Sequence, residues 1–168
     1  MNVIEVEVVK AVPADVSPAF VRRVLTRAAK VPEVAARLPE GRSTVAVRLT
    51  DDAEMEYLNR IYAGEDHATD VLSFEGSGDH LGDIAISWPA VVGQAERWGH
   101  DEKTELSVLA VHGLLHLLGW DHLTPAETEE MWRLTYTPLR GLRRSPRAYP
   151  RLHEKREERA RDRRPGQP

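Results

Sequence analysis

One segment constrains the fold more than any other. Residues 106–118, LSVLAVHGLLHLL, are apolar on almost every side of a helical projection. A surface helix keeps a polar face, whereas a helix that is apolar nearly all round is buried on all sides. We therefore expect a helix that is capped by Asp101, ends at Gly119 and runs through the centre of the domain. The 168 residues of the chain are enough to build one domain around it.

The rest of the chain supplies partners for this helix. Alternating apolar and polar residues predict strands at 3–9, 43–50, 70–74 and 81–87, and a Gly-rich turn between the last two predicts a hairpin. Capping signals and periodicity predict helices at 17–30, 51–62, 88–98, 101–118 and 125–139. Residues 31–41 form a turn-rich connection with room for helical pieces. The order predicts an α+β domain, with a small mixed sheet of about four strands packed with about five helices.

Three histidines lie in and just after the buried helix. His112 and His116 are four residues apart, so their imidazoles share one helix face. Gly119 permits a left-handed turn that returns His122 towards the same point. Three neutral imidazoles suit Zn²⁺ and leave one coordination position open, as in catalytic zinc sites, where a bound water has a pKa of about 7. Packing is the weaker explanation, because buried imidazoles without partners are costly. Imidazole also suits Ni, Cu and Fe.

Two neighbouring residues bear on the chemistry of this predicted metal site. Asp121 is either a carboxylate that orients one of the imidazoles or simply a turn residue. Gly113 stands where a zinc protease of the H-E-x-x-H type has its glutamate base. Glycine cannot exchange a proton, which argues against such a protease. It leaves room instead for close helix packing or for substrate.

Charge divides the chain into two parts. Residues 141–168 hold ten basic and four acidic residues, whereas residues 1–140 hold 13 basic and 23 acidic ones. We expect a metal-dependent domain at 1–142 and a basic, flexible tail at 143–168, which either meets an anion such as nucleic acid or is a solvated end. The chain has no cysteine, no apolar run of membrane-spanning length and no signal-peptide pattern at its N-terminus. These features favour a cytoplasmic protein.

Four blocks together resemble one known family. The stretch HGLLHLLGWDH at 112–122 resembles the histidine motif of the YbeY family of zinc-dependent endoribonucleases, also called rRNA maturation factors. LNRIYAGEDHATDVLSF at 58–74 and LGDIAIS at 81–87 are similar to further blocks of that family, in the same order and spacing. EEMW at 129–132 stands where the family has a helix with similar acidic residues. The resemblance covers roughly residues 40–140.

The resemblance implies a function as well as a fold. It implies a single α+β domain, one Zn²⁺ held by His112, His116 and His122, and cleavage of single-stranded RNA. The family acts in ribosomal RNA processing, especially at the 3′ end of 16S rRNA, and in ribosome quality control. RNA and the small ribosomal subunit are therefore the expected partners, and neither DNA nor a membrane is expected.

One position departs from the family in a way that concerns catalysis. Ala63 stands where the family commonly has an arginine, and Arg60, one helical turn earlier, is either its substitute or a solvated helix charge. Arg97 and Arg133 are remoter candidates. Glu75 also stands where the family usually has proline. These departures keep two alternatives open, a non-enzymatic ribosome-assembly factor with a structural zinc and a metallohydrolase that acts on another substrate.

The remaining site predictions concern the substrate cleft. Thr69, Asp70 and Ser73 offer polar groups on the third predicted strand and its approach, where RNA would lie beside the metal. Phosphate contacts normally come from Lys and Arg. The acidic body therefore requires either the basic tail or a basic groove that the average charge conceals. The other four histidines are expected to be surface imidazoles: His67, His80, His100 and His153.

Overall fold

The structure is a computed structural model that describes residues 2–63 and 69–139. The predicted tail at 143–168 and its boundary therefore lie outside the described residues, as do His67 and His153. The strands are β1 Val3–Lys10, β2 Arg42–Thr50, β3 Val71–Glu75 and β4 His80–Ser87. The helices are α1 Pro18–Ala29, α2 Pro32–Arg37, α3 Asp52–Ala63, α4 Trp88–Trp98, α5 Glu102–Leu117, α6 Pro125–Tyr136 and a 3₁₀ turn at Thr137–Leu139.

The four strands form one mixed sheet in the order β1-β2-β4-β3. β1, β2 and β4 are parallel, and β3 pairs antiparallel with β4, which confirms the predicted hairpin. The α+β prediction with about four strands and a buried central helix is confirmed. Six α-helices occur in the described ranges rather than about five, because Pro32–Arg37 forms a short helix within the predicted connection.

The two faces of the sheet are covered differently. Val45 and Val47 of β2 and Ile84 and Ile86 of β4 are fully buried in the main core, together with apolar residues of α1, α5 and α6. Side chains alternate along a strand, so the residue between Ile84 and Ile86, Ala85, points to the other face. α3 lies on that other face, where the Ser87 hydroxyl at the end of β4 donates to the Asp52 carboxylate at 2.6 Å.

Helix α5 occupies the position that its composition predicts. Every residue from Thr104 to Leu115 is buried. Its N-terminus is capped as expected, since the Asp101 carboxylate accepts a hydrogen bond from the Thr104 N–H at 2.7 Å. A Cβ on Gly113 would lie 2.7 Å from Cγ2 of Ile84. Of the two uses considered for the missing side chain, close packing of the helix on the sheet is therefore the one observed.

Two further observations complete the architecture. The prediction of a surface imidazole at His100 is wrong, because its side chain is 7% exposed and its Nε2 lies 2.8 Å from the fully buried carboxylate of Glu105. A buried carboxylate requires such a partner, so the histidine is drawn inward. Among the described ranges, no helix combines the length and the apolar character needed to cross a membrane.

Candidate metal centre

The three histidines of the motif meet at the C-terminal end of α5. One nitrogen of each imidazole of His112, His116 and His122 lies within 4.8 Å of those of the other two. The ring centroids of His112 and His116 are 4.8 Å apart, and those of His116 and His122 are 5.1 Å apart. His112 is 9% exposed, whereas His116 and His122 are partly open to solvent. The group therefore has an enclosed side and an accessible side.

A glycine turn brings His122 to the pair on the helix. Gly119 has φ +95°, in the left-handed region that favours glycine. Its N–H donates to the His116 carbonyl at 3.1 Å, and the Trp120 N–H donates to the Leu115 carbonyl at 3.0 Å. These two bonds form a Schellman motif, which satisfies the last carbonyls of the helix and reverses the chain. The predicted hinge at Gly119 is confirmed.

A residue that the sequence did not single out supports this turn. The Arg37 guanidinium lies 3.6 Å from the centroid of the Trp120 ring, and its Nη1 donates to the Leu118 carbonyl at 3.4 Å. Trp120 itself is buried, with 6% of its surface exposed. Arg37 thus holds the end of α5 by a cation–π contact and a charge-assisted hydrogen bond. No local signal could reveal this, since Arg37 is 81 residues from Leu118.

The start of α6 holds the other side of the His122 loop. The hydroxyl of Thr124 caps α6 by accepting from the Glu127 N–H at 3.2 Å. The Glu127 carboxylate accepts from the Leu123 N–H at 3.1 Å, and the Thr128 hydroxyl donates to the His122 carbonyl at 3.3 Å. The backbone on which His122 stands is therefore tied to α6 by side-chain hydrogen bonds on both sides.

An aromatic stack fixes the buried side of the site. The imidazole of His112 stacks on two rings, with centroid distances of 5.8 Å to His122 and 5.0 Å to Trp132 and interplanar angles of 17° and 25°. Trp132 stacks in turn on Tyr136 at 5.5 Å. Trp132 is 8% exposed, so it packs inside the domain. Its contact with His112 was not predicted, although its place on the apolar face of α6 is a signal that could have indicated one.

The residues predicted to surround the metal lie at different distances from the histidines. Asp121 Oδ1 accepts from the backbone N–H of His122 at 2.7 Å and lies 4.0 Å from the His122 Nδ1. This geometry is that of a turn residue, and its role in orienting the imidazole stays a prediction. The Ser73 hydroxyl donates to the Gly113 carbonyl at 3.0 Å, which places β3 directly against α5 beside His112.

Asp70 and Thr69 lie towards the other end of β3. The carbonyl of Asp70 accepts from the Ser87 N–H at 2.9 Å, at the end of β4. Ser73 lies three residues after Asp70 along extended chain, a distance of about 10 Å. Asp70 is buried and Thr69 is partly exposed. Of the three predicted cleft residues, Ser73 is hydrogen-bonded to the helix that carries the histidines, and contact with substrate stays a prediction for all three.

Arg60 belongs to the other face of the sheet. Phe74 follows Ser73 and therefore points away from α5, and its ring centroid lies 4.9 Å from that of Tyr62 on α3. Arg60 is an exposed residue of the same helix, with its guanidinium 5.8 Å from the ring centroid of Tyr57. The structure therefore places Arg60 across the sheet from α5, and its catalytic role stays a prediction.

The donor set fits a transition-metal ion. The three candidate ligands are imidazoles with no carboxylate among them, which suits Zn, Cu, Ni or Fe better than Mg or Ca. Three protein donors also leave a position for a water or a substrate oxygen. Ligand atoms on one zinc ion lie about 3.4 Å apart in tetrahedral geometry, so small rotations of these side chains would bring the three nitrogens to bonding distance.

Comparison with known proteins identifies the family of this chain. The sequence profile of the family described as Endoribonuclease YbeY matches residues 5–143, a range that includes the three histidines and the loop between them. The chain belongs to the YbeY family. An Endoribonuclease YbeY of Roseiflexus sp. is 39% identical over 152 residues, which cover 83% of this chain and 92% of the relative. That of Roseiflexus castenholzii is 42% identical over 130 residues, 71% of this chain and 79% of the relative.

The fold of this YbeY family member is also found among solved structures. The solution structure of a Thermotoga maritima protein aligns with a TM-score of 0.51 and covers 98% of this chain and 100% of that one. The sequence identity is 20%, so this likeness concerns the fold alone. The family recognised from the HGLLHLLGWDH motif and its companion blocks is thus confirmed by the family profile and the relatives.

Proposed function

We propose that this chain is a zinc-dependent endoribonuclease that cleaves single-stranded RNA. In this proposal it acts in the cytoplasm on ribosomal RNA at the small subunit, at the 3′ end of 16S rRNA and in ribosome quality control. The observation that carries the proposal is the convergence of three imidazole nitrogens within 4.8 Å in a member of a family described as endoribonucleases. Their open side suits a phosphodiester that approaches from solvent.

The residues of the site divide the work. His112, His116 and His122 would hold the ion, which when bound polarises a phosphoryl oxygen and activates water or the RNA 2′-OH as nucleophile. Trp132 holds the ring of His112 from the buried side, so that ligand loses little freedom on binding. His116 and His122 present the accessible side to substrate. Gly113 offers no proton acceptor beside His112, so proton transfer falls to solvent, substrate or a group outside α5.

A second function has one specific observation in its favour. Ala63 ends α3 where the family commonly has an arginine, and Arg60 lies across the sheet from α5. A chain without a guanidinium near the phosphate would be a handicapped nuclease, since arginine stabilises the phosphate oxygens with two parallel bonds. The alternative is therefore a ribosome-assembly factor in which the zinc is structural. The variant Ala63→Arg separates the two: a large gain in cleavage indicates an active but handicapped site.

The decisive test combines metal content with RNA cleavage. We expect the wild-type chain to carry about one zinc per chain by mass spectrometry and to cleave a single-stranded RNA oligonucleotide internally. His116→Ala should lose the metal and at least 1000-fold of the cleavage rate, an order of magnitude typical of loss of a metal nucleophile. The matched control is His80→Ala, which removes a partly exposed imidazole outside the group.

The outcomes separate the hypotheses. If His80→Ala keeps both its metal and its cleavage activity, the losses in His116→Ala are due to the three-histidine group. They are then not a general effect of replacing a histidine. Metal that survives His116→Ala would refute the three-histidine site. If His116→Ala loses its metal but the wild type does not cleave RNA at all, the result would favour the assembly factor. Hydrolysis of peptides by the metal-loaded wild type, in place of RNA, would favour the metallohydrolase.

A further inference from the structure

Helix α1 carries the most concentrated positive charge of the described residues. Its sequence and C-cap, Pro18 to Lys30, hold Arg22, Arg23, Arg27 and Lys30 and no acidic residue. The domain around it is strongly acidic, with 23 acidic and 13 basic residues in 1–140. Almost a third of the basic residues of that domain therefore lie on one helix.

These cations line a pocket. A cavity of about 490 Å³ opens along α1 and is walled on the other side by Pro138 and Leu139 of the 3₁₀ turn. Arg23, Arg27 and Lys30 are spaced four and three residues apart, so they form one stripe on the exposed side of the helix. We call this stripe, together with Phe20 at its start, the α1 basic face. The ring of Phe20 is partly exposed and has the Arg23 guanidinium 6.0 Å and the Lys103 ammonium 5.6 Å from its centroid.

The charges of this face are not neutralised within the described part of the chain. Arg42, Arg48 and Arg133 each form an ion pair with a glutamate. Arg23, Arg27 and Lys30 form no ion pair with any acidic side chain in residues 2–63 or 69–139. The helix dipole favours cations only in the last turn, so it accounts for Arg27 and Lys30 but not for Arg23.

The α1 basic face is connected to the candidate metal centre through α6. Leu139 lies in the 3₁₀ turn that follows Tyr136, and the Tyr136 ring stacks on Trp132, which stacks on His112. The helical rise from Trp132 to Leu139 amounts to about 12 Å, a span that a few nucleotides of an extended strand can cross. The side chains along this path are buried, so a strand seated on the face would run over the surface of the domain to the accessible side of the histidines.

We infer that the α1 basic face docks the phosphate backbone of the RNA strand whose cleavage is proposed for the histidine site, and this inference rests on that proposed function. Three solvent-exposed cations suit successive phosphates, and the partly exposed ring of Phe20 offers a surface on which a base can stack. Cations combined with an aromatic ring are typical of sites for single-stranded nucleic acid. An acidic protein partner would be bound by the cations alone and would not need the exposed ring of Phe20. This is the basic groove that the acidic average of the domain conceals.

The test measures RNA binding apart from cleavage. The full chain with His116→Ala, which should not cut its ligand, is titrated into a labelled single-stranded RNA of about 20 nucleotides at several salt concentrations. We expect Arg23→Gln/Arg27→Gln/Lys30→Gln in this background to raise Kd at least tenfold at low salt. The slope of log affinity against log salt should fall by about 2, since each lost phosphate contact on a single strand contributes about 0.7.

The matched control removes the same charge elsewhere. Lys10→Gln/Arg42→Gln/Arg48→Gln changes three exposed cations outside the face, and we expect less than a threefold change in Kd with little change in slope. Urea unfolding of both triple variants verifies that they are folded. With His116 intact, the α1 variant should raise KM for RNA more than it lowers kcat.

Each other outcome overturns the inference. Equal losses of RNA affinity in the two triple variants would show that the effect depends on the overall charge of the protein and not on the α1 basic face. An unchanged Kd in the α1 variant would assign the face to another acidic partner, such as a protein, while cleavage by the wild type would leave the proposed function standing. If the wild type neither binds nor cleaves RNA, the proposed function fails and the inference fails with it.

Discussion

Helices α5 and α1 pack side by side on the same face of the sheet. They differ in where their polar groups lie, because those of α5 are mostly buried and those of α1 are exposed to solvent. α5 is buried along its whole middle, and its histidines stand in an apolar setting. α1 buries one stripe, Val21, Val24, Leu25, Ala28 and Ala29, and leaves its cations in water. The two helices thus place the candidate chemistry and the candidate substrate contact on neighbouring elements.

The difference shows how much a single residue can reveal. A polar group inside an apolar helix is costly unless it has a partner, so each histidine of α5 is informative by itself. A solvated cation costs little, so one arginine on α1 carries almost no information. The cations of α1 become informative only as a set, once the structure shows that they share a stripe without acidic neighbours.

The largest expected effect tests the buried character of α5. Leu114→Ala removes a fully buried side chain, and we expect it to lower the free energy of unfolding by about 2–5 kcal/mol. The matched control Leu123→Ala truncates a leucine that is 82% exposed and should cost less than about 0.5 kcal/mol. Urea unfolding followed by circular dichroism measures both. Equal effects would mean that α5 is not the centre of the core.

The next effect concerns the contact between α5 and β4. Gly113→Ala places a methyl group 2.7 Å from Ile84, and we expect a loss of about 1–3 kcal/mol from overpacking. Gly93→Ala, in α4, meets no atom within 4 Å and should be neutral or stabilising by up to about 1 kcal/mol, because alanine favours the helix. Thermal unfolding distinguishes the two. A neutral Gly113→Ala would show that the helix can move away from the sheet without cost.

A smaller effect concerns the stack beneath the histidines. Trp132→Leu keeps an apolar side chain but removes the ring that holds His112, and we expect zinc affinity to fall about tenfold, the lower end of the range for residues that support metal ligands. Competition with a chelator measures this affinity. Trp98→Leu, the same change on α4, should leave it unaltered. An equal loss in both variants would assign the effect to general destabilisation.

The smallest effect contrasts a paired cation with an unpaired one. The hydrogen bond and charge of Arg48 lower the pKa of Glu54 below its usual value. A lowered folded-state pKa contributes stability above the unfolded pKa, and this contribution is lost as pH falls through the folded value. Arg48→Gln should therefore cost less than about 0.5 kcal/mol at neutral pH, since the pair is solvent-exposed, and nothing at a pH where Glu54 is protonated.

Arg27→Gln is the control for this contrast, because no described acidic side chain pairs with Arg27 and its change should show no such dependence on pH. Unfolding in urea between neutral and strongly acidic pH measures both variants. A pH-independent difference for Arg48→Gln would show that packing of its aliphatic stem, rather than the ion pair, stabilises the fold.

Much of the candidate site was predictable because its signals are local. Two histidines four residues apart share a helix face wherever that helix lies, and Gly119 marks the turn that returns His122. The cap at Asp101 was likewise predicted and is observed. The short helix at Pro32–Arg37 was not separated from its turn-rich surroundings, because six residues are too few to show a clear period.

The contacts that support the site could not be predicted from the chain alone. Arg37 under the Gly119 turn and Trp132 against His112 each join segments that are far apart in sequence. The inward position of His100 depends on a carboxylate that burial forces to find a partner. The separation of Arg60 from α5 follows from which face of the sheet α3 covers, and sequence spacing says nothing about that choice.

By itself, then, the sequence determined every strand and every α-helix except α2, the buried character of α5, the three-histidine group and the family. Each of these depends on periodicity, capping or motif spacing, which act over a few residues. The tertiary structure alone decided which arginines are paired, which ring supports His112, and that the cations of α1 line one pocket. These features depend on packing between distant segments, where burial and charge neutralisation are settled only when the whole chain is folded.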